Sequence, residues 1–176
     1  LFIKGKLPTE MDMSIGIVGS RHASVYGTTI AEKFAYDLAQ VGMPVVSGLA
    51  RGVDTAAHRG ALKAQGKTIA VLGCGLAHIY PPENKELYRQ IAESGTLISE
   101  TPFGAPPRGG NFPQRNRIIS GISMGLVVVE ATMKSGTLIT AKYFGENGHL
   151  LIQEIASART NQVYFLTDIA EADSIA

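Results

Sequence analysis

Two stretches of this 176-residue sequence carry arginine without a single acid: residues 13–31, with Arg21 and His22, and residues 101–129, with Arg108, Arg115 and Arg117. Cations without nearby counter-charge, set among glycines, suit the binding of an anion. The plainer alternative is that acids avoid buried strands whatever the function.

Four short segments gather this chemistry. Gly19-Ser20-Arg21 follows an apolar run with a hydroxyl, a guanidinium and backbone N–H groups, which either hold a phosphate or make a tight turn. It is neither a Gly-x-Gly-x-x-Gly fingerprint nor a Walker loop, since the further glycines and a Gly-Lys-Ser/Thr are missing. Ser47-Gly48-Leu49-Ala50-Arg51-Gly52 adds two glycines that permit close backbone approach and an arginine able to grip phosphate with two prongs. The stretch from Arg108 to Arg117, with Gly110, Asn111, Phe112 and Asn116, sets an aromatic ring among arginines. Cations there would follow phosphates while the ring stacks on a base. Its glycines and prolines predict irregular backbone. The competing reading buries Phe112 in the core and pairs Arg115 and Arg117 with Glu100 and Glu130. Lys134-Ser135-Gly136-Thr137 is placed to open a helix, where exposed amides favour an anion or merely form a cap.

The catalytic inventory is thin. Ser20, Ser47 and Ser135 have no histidine in a motif context, and His22, His58, His78 and His149 are scattered. Glu100 and Glu130 end consecutive strands and form an acid/base pair only if they do not neutralise arginines. Asp54 and His58, one helical turn apart, lack a third ligand, so they read as a helix cap and a structural histidine rather than a metal site. No catalytic residue, metal or cofactor is expected.

The elements that would position these segments are legible as alternating patterns. Continuous apolar bursts at Ile15–Gly19, Pro44–Gly48, Thr68–Gly73, Thr96–Glu100 and Leu126–Glu130 fit strands covered on both faces. Between them, Ile30, Phe34, Leu38 and Val41 predict a helix with one buried stripe. Asp54 is placed to cap a second helix through Ala56, Ala57, Ala61 and Leu62, ended by Gly66. Leu87 and Ile91 line a third helix, Ile118, Ile119 and Ile122 a short fourth, and Leu138, Ile139 and Tyr143 a last one. The residues before Pro8 read as a strand or arm. The pattern predicts an α/β fold: a Rossmann-like, doubly wound, mostly parallel sheet with helices on both faces. In such a sheet ligands bind beyond the carboxyl ends of the strands, where all four segments fall.

Composition narrows the class. At 45% hydrophobic and 18% charged residues the chain is neither disordered nor fibrous, and its length suits one domain over residues 1–176. The lone Cys74, flanked by Val71 and Leu72, reads as a buried thiol. No apolar run approaches the roughly 20 residues that span a bilayer. The expectation is a cytoplasmic protein with no membrane partner. Net charge is +1, yet the first 159 residues hold all 16 bases against 12 acids.

Taken together, the segments resemble the Rossmann-like core of the DprA/Smf family, DNA-processing proteins of bacterial transformation. The matching stretches are Ile17-Val18-Gly19-Ser20-Arg21, Ser47 through Asp54 with Ala56 through Leu62, Ala70 through Leu76, Tyr80-Pro81-Pro82-Glu83-Asn84, Leu97-Ile98-Ser99-Glu100, Phe112 through Gly121, and Val128-Val129-Glu130-Ala131 with Ser135 through Ala141. The resemblance implies single-stranded DNA binding that protects incoming DNA, loading of RecA, a homodimer and no enzymatic reaction. By position it implies DNA contacts from the Gly19–Arg21 turn, the Arg51 loop, Arg108–Phe112 and Lys134–Thr137. Two departures stand out. Residues 148–154 resemble a later helix of the family, so a strand and a Gly-rich loop are expected to be missing along with the sheet edge they build. The family's N-terminal helical and C-terminal winged-helix-like domains are also expected to be absent, leaving the core. A rival is a nucleotide-binding or nucleoside-monophosphate-hydrolysing Rossmann-like enzyme, similar in Gly136-Thr137 but lacking here the preceding Pro-Gly-Gly run and the following Glu.

Overall fold

The computed structural model describes residues 1–9, 11–130 and 150–154. Among these residues seven strands form one sheet: β1 (Phe2–Gly5), β2 (Ile15–Gly19), β3 (Val45–Ser47), β4 (Thr68–Leu72), β5 (Thr96–Ser99), β6 (Gly125–Val129) and β7 (Leu150–Glu154). Their spatial order is β1-β5-β4-β3-β2-β6-β7. All neighbours pair in parallel except β1, which runs antiparallel along β5 from Phe2 opposite Ser99 to Gly5 opposite Thr96. The helices among the described residues are α1 (Val25–Gln40), α2 (Val53–Lys63), α3 (Lys85–Ser94) and α4 (Asn111–Gly121).

The side-chain alternation of the strands divides the core into two layers. Ile15, Ile17, Val45, Val127 and Val129 pack under α1 and α2, and Ala70, Leu72 and Leu97 pack under α3. Their alternates Val18, Val46, Ile69, Val71, Ile98, Leu126 and Val128 pack against Ile118 and Ile119 of α4 on the opposite face. Helices thus cover both faces, as the continuous apolar strands require.

Four local expectations are corrected. The buried face of α1 is Gly27, Ala31, Ala35 and Ala39, while Phe34 and Leu38 flank it and Val41 is exposed. The cause is close approach of α2: a Cβ on Gly60 would fall 2.1 Å from the Glu32 carbonyl oxygen and 3.0 Å from the Ala35 methyl. Only small residues fit between these helices. Asp54 is not a cap; Gly52, at φ +71°, precedes α2 and Asp54 lies in its first turn. The arginine-rich stretch is irregular only to Gly110, since α4 already begins at Asn111. Pro113 is tolerated because first-turn N–H groups have no partner within the helix. Residues 150–154 form a strand beside β6, with Leu150 opposite Gly125 and Glu154 opposite Val129, not a helix. That strand occupies the edge expected to be missing; short apolar runs suit either structure.

Candidate nucleic-acid interface

The carboxyl ends of β2, β3, β4 and β5 open on one rim, and glycines let their loops close on one another there. A Cβ on Gly19 would fall 2.0 Å from the Val129 carbonyl oxygen, and one on Gly52 2.2 Å from that of Ser20. The Val53 N–H donates to the Ser20 carbonyl at 3.2 Å, tying the first turn to the start of α2. The Ser20 hydroxyl accepts from the His22 N–H at 3.1 Å, which shapes the turn and presents Arg21 outward.

Arg21 and Phe112 meet across this rim. The guanidinium carbon lies 5.8 Å from the centre of the Phe112 ring, within cation–π reach. Tyr80 adds a second ring, 5.2 Å from Phe112 and tilted by 39°. The Phe112 ring rests on Gly73, where a Cβ would stand 2.6 Å from Cδ1. Phe112 is half-buried beside a cleft bounded by Arg21, Arg51, Tyr80 and Pro81 and floored by Gly48, Leu49 and Gly73. Phe112 therefore belongs to none of the core clusters.

The arginines differ in what neutralises them. Among the described residues no carboxylate pairs with Arg21 or with exposed Arg108. Arg51 is ion-paired with Glu83 through Nε, which raises the guanidinium pKa and lowers that of the carboxyl. Arg117 pairs with Glu100 at the surface. Arg115 is 5% exposed, its Nη1 donating to the carbonyl oxygens of Gly48, at 2.6 Å, and Val71. Its Nε donates to Asn116 Oδ1 at 3.1 Å.

Beneath the rim lies a buried polar cluster. The Asp54 carboxylate accepts the N–H groups of Gly48 at 3.1 Å and Ala50 at 3.3 Å. Burial pushes its pKa up, against the Arg115 charge and those N–H groups, which pull it down. Burial lowers the pKa of Arg115, opposed by Asp54 and reinforced by repulsion from Arg21. His58 is held at about 3 by burial and then by Arg115, so it is neutral at physiological pH. The Thr68 hydroxyl donates to the Val45 carbonyl at 2.9 Å, so His58 Nδ1, 2.7 Å away, is the donor to Thr68. Asp54 and His58 therefore face different partners and share no ligand position.

The rim thus brings together Gly19, Ser20, Arg21, Gly48, Arg51, Gly52 and Phe112, with Gly110 and Asn111 at the start of α4. Ser47 and Arg115 are corrected: both are buried, the Ser47 hydroxyl donating to the Ile17 carbonyl at 2.6 Å, so neither side chain reaches the rim surface. Gly48 floors the cleft, and its missing Cβ makes room for the Arg115 guanidinium, 2.3 Å from where it would stand. Lys134, Ser135, Gly136 and Thr137, and the last expected helix, lie outside the described residues. Among the described residues Glu130 pairs with no arginine; its carboxylate accepts the Ser24 N–H at 2.7 Å and the Ser24 hydroxyl. Sequence reasoning missed Tyr80 as a site residue. The available signal was an aromatic residue before two prolines in the loop after β4, followed by Asn84, whose buried amide donates to the Leu49 carbonyl and to Thr55 Oγ1 and fastens the two loops.

A sequence profile of the family described as DNA recombination-mediator protein A matches residues 1–162. The chain is similar to Protein Smf of Synechocystis sp., 48% identical over 143 residues that cover 81% of this chain and 35% of that protein. It is similar to DNA processing protein DprA of Streptococcus pneumoniae, 45% identical over 148 residues covering 84% of this chain and 52% of that one. The chain spans about a third to a half of the length of these curated relatives. Among solved structures it is similar to S. pneumoniae DprA, with TM-score 0.84 and 35% identity, covering 98% of this chain and 65% of that chain. The structure of DNA processing protein A from Helicobacter pylori, solved for its single-stranded DNA binding mode, gives TM-score 0.81 and 29% identity, covering 92% and 73%. A molybdenum cofactor binding protein from Rippkaea orientalis, at TM-score 0.63 and 21% identity over 93% of this chain and 96% of that one, shares the fold. With the profile spanning nearly its whole length and the sheet superposing on solved relatives, the chain belongs to the DprA/Smf family of DNA-processing proteins.

Proposed function

We propose that this chain is the core of a single-stranded DNA-binding protein and that the strand runs along the rim at the carboxyl ends of β2 to β5. The observation that carries this reading is the Arg21–Phe112–Tyr80 cluster: a guanidinium with no described acid partner, beside two rings not absorbed into the core. An unstacked base meets a ring face there, and its flanking phosphate meets the cation. Arg108, on the exposed loop before α4, extends the positive track, and Gly110 and Asn111 open the helix whose first turn carries no acid. Arg51 joins when a phosphate displaces Glu83. Ser47 and Arg115 act from below, holding the loops in place. Lys134, Ser135, Gly136 and Thr137 are proposed contacts on the strength of the family motif alone.

Family membership supports the wider reading: a non-enzymatic, cytoplasmic, homodimeric protein of natural transformation that protects incoming DNA and loads RecA on it, with residues 1–176 forming one Rossmann-like domain. Among the described residues no helix is long and apolar enough to cross a membrane. A structure with a short oligothymidylate tests the site. A base on Phe112 or Tyr80 with a phosphate at Arg21 supports the reading, and a strand bound elsewhere overturns it. Retention of RecA by the chain after nuclease treatment supports a direct RecA contact; its loss removes that part.

A further inference from the structure

The crevice most often used by ligands in a doubly wound sheet is the switch point, where the chain reverses its direction of strand addition. Here the chain adds β3, β4 and β5 on one side of β2 and then returns to add β6 on the other. The switch point lies between β2 and β6, and α1 begins there. In nucleotide-binding members of this architecture a phosphate meets the first amides of that helix.

In this chain a carboxylate already stands at that helix start, held by the N-cap residue Ser24. The Glu130 carboxylate accepts the Ser24 N–H at 2.7 Å and the Ser24 hydroxyl, and the same hydroxyl accepts the Gly27 N–H at 3.0 Å. A Cβ on Gly27 would stand 2.4 Å from the Glu130 carboxyl carbon, so the carboxylate is pressed against the helix backbone. Glu130 itself has φ +52°, a left-handed conformation that non-glycine residues rarely adopt. A local capping box would place its acid three residues after the Ser24 cap. The sequence instead has Gly27 there and brings the acid from a distant strand end.

We infer that Glu130 is the built-in occupant of the switch point: its carboxylate takes the position of a ligand phosphate at the start of α1 and closes that crevice to nucleotides. A cap that merely stabilised α1 would need neither the cleared Cβ position nor the left-handed turn. The inference does not rest on the DNA reading, because it concerns a contact within the chain, between Glu130 and the start of α1.

Titration of the 15N-labelled chain with adenosine 5′-monophosphate and with inorganic phosphate tests it. In the wild type the amides of Ser24, Val25, Tyr26 and Gly27 are expected to stay unmoved at millimolar ligand. In Glu130→Ala the same amides are expected to shift saturably, with phosphate alone sufficing. Glu130→Gln, which keeps the bulk without the charge, is expected to gain less than Glu130→Ala. Saturable movement of those amides in the wild type overturns the inference even if Glu130→Ala does not fold. A folded Glu130→Ala that responds no more than the wild type overturns it as well.

Discussion

Arg115 and Arg21 lie close enough to repel each other, yet one is sealed under the rim and the other stands on it. Arg115 spends its donors on the Gly48 and Val71 carbonyls and its charge on Asp54. Arg21 has a ring beside it and no described acid. A buried guanidinium that donates to carbonyls inside the protein sets the shape of the loops, whereas one left unpaired on a convergent rim is available to an outside anion. Residue type alone does not assign these roles; burial and partners do.

The largest effect is expected from removing the buried member. Arg115→Ala leaves the Gly48 and Val71 carbonyls without their donor and buried Asp54 without the opposing charge of Arg115, a loss of the kind that costs about 3–5 kcal/mol. Urea unfolding is the check. A change under about 1 kcal/mol would mean that the cluster is not the support described here. Weakened DNA binding in this variant would follow the stability loss.

The buried cluster also sets an acid limit. His58 titrates near 3 in the folded chain against an ordinary value of 6.5, so the unfolded chain takes the proton first. This contribution to stability is complete above pH 6.5 and is lost as the pH falls toward about 3, at up to about 1.4 kcal/mol per pH unit. Stability curves of wild type and His58→Leu between these limits should differ in slope, the variant being flatter; parallel curves would contradict the assignment.

On the rim, effects should appear in binding and leave the unfolding midpoint unchanged. Phe112→Ala is expected to cost about 1–3 kcal/mol of oligothymidylate affinity with no change of salt slope, since stacking releases no counterion. An unchanged affinity would return Phe112 to a packing role. The smallest effect is expected from Glu83→Gln, which frees Arg51 from its acid. Affinity should rise slightly and the salt slope steepen by at most about 0.7, the share of one phosphate on a single strand. A fall in affinity would show that Glu83 positions Arg51 for DNA.

Much of the fold was legible because strands buried on both faces are largely apolar: β2 has no polar side chain, β4 has Thr68 alone, and β5 has Thr96 and Ser99 at its ends. The face of α1 was not, because hydrophobic periodicity weights large side chains while a tightly paired helix selects Gly27, Ala31, Ala35 and Ala39. The start of α4 was hidden by Pro113, whose penalty vanishes in a first turn. The rim was readable from glycine and arginine at strand ends. Tyr80 was not, since its value comes from meeting Phe112, which only the tertiary fold brings near. Nor does the sequence separate Arg115 from Arg21: both follow glycine-bearing loops at the same sheet edge.

The most direct measurement is oligothymidylate affinity across a salt series for wild type, Arg21→Ala and Arg117→Ala. Arg21 has no described acid partner and Arg117 is neutralised by Glu100. Arg21→Ala is expected to bind more weakly with a slope shallower by about 0.7, while Arg117→Ala stays close to wild type. Equal affinities and slopes for all three proteins, or a loss confined to Arg117→Ala, would contradict a DNA path over the rim.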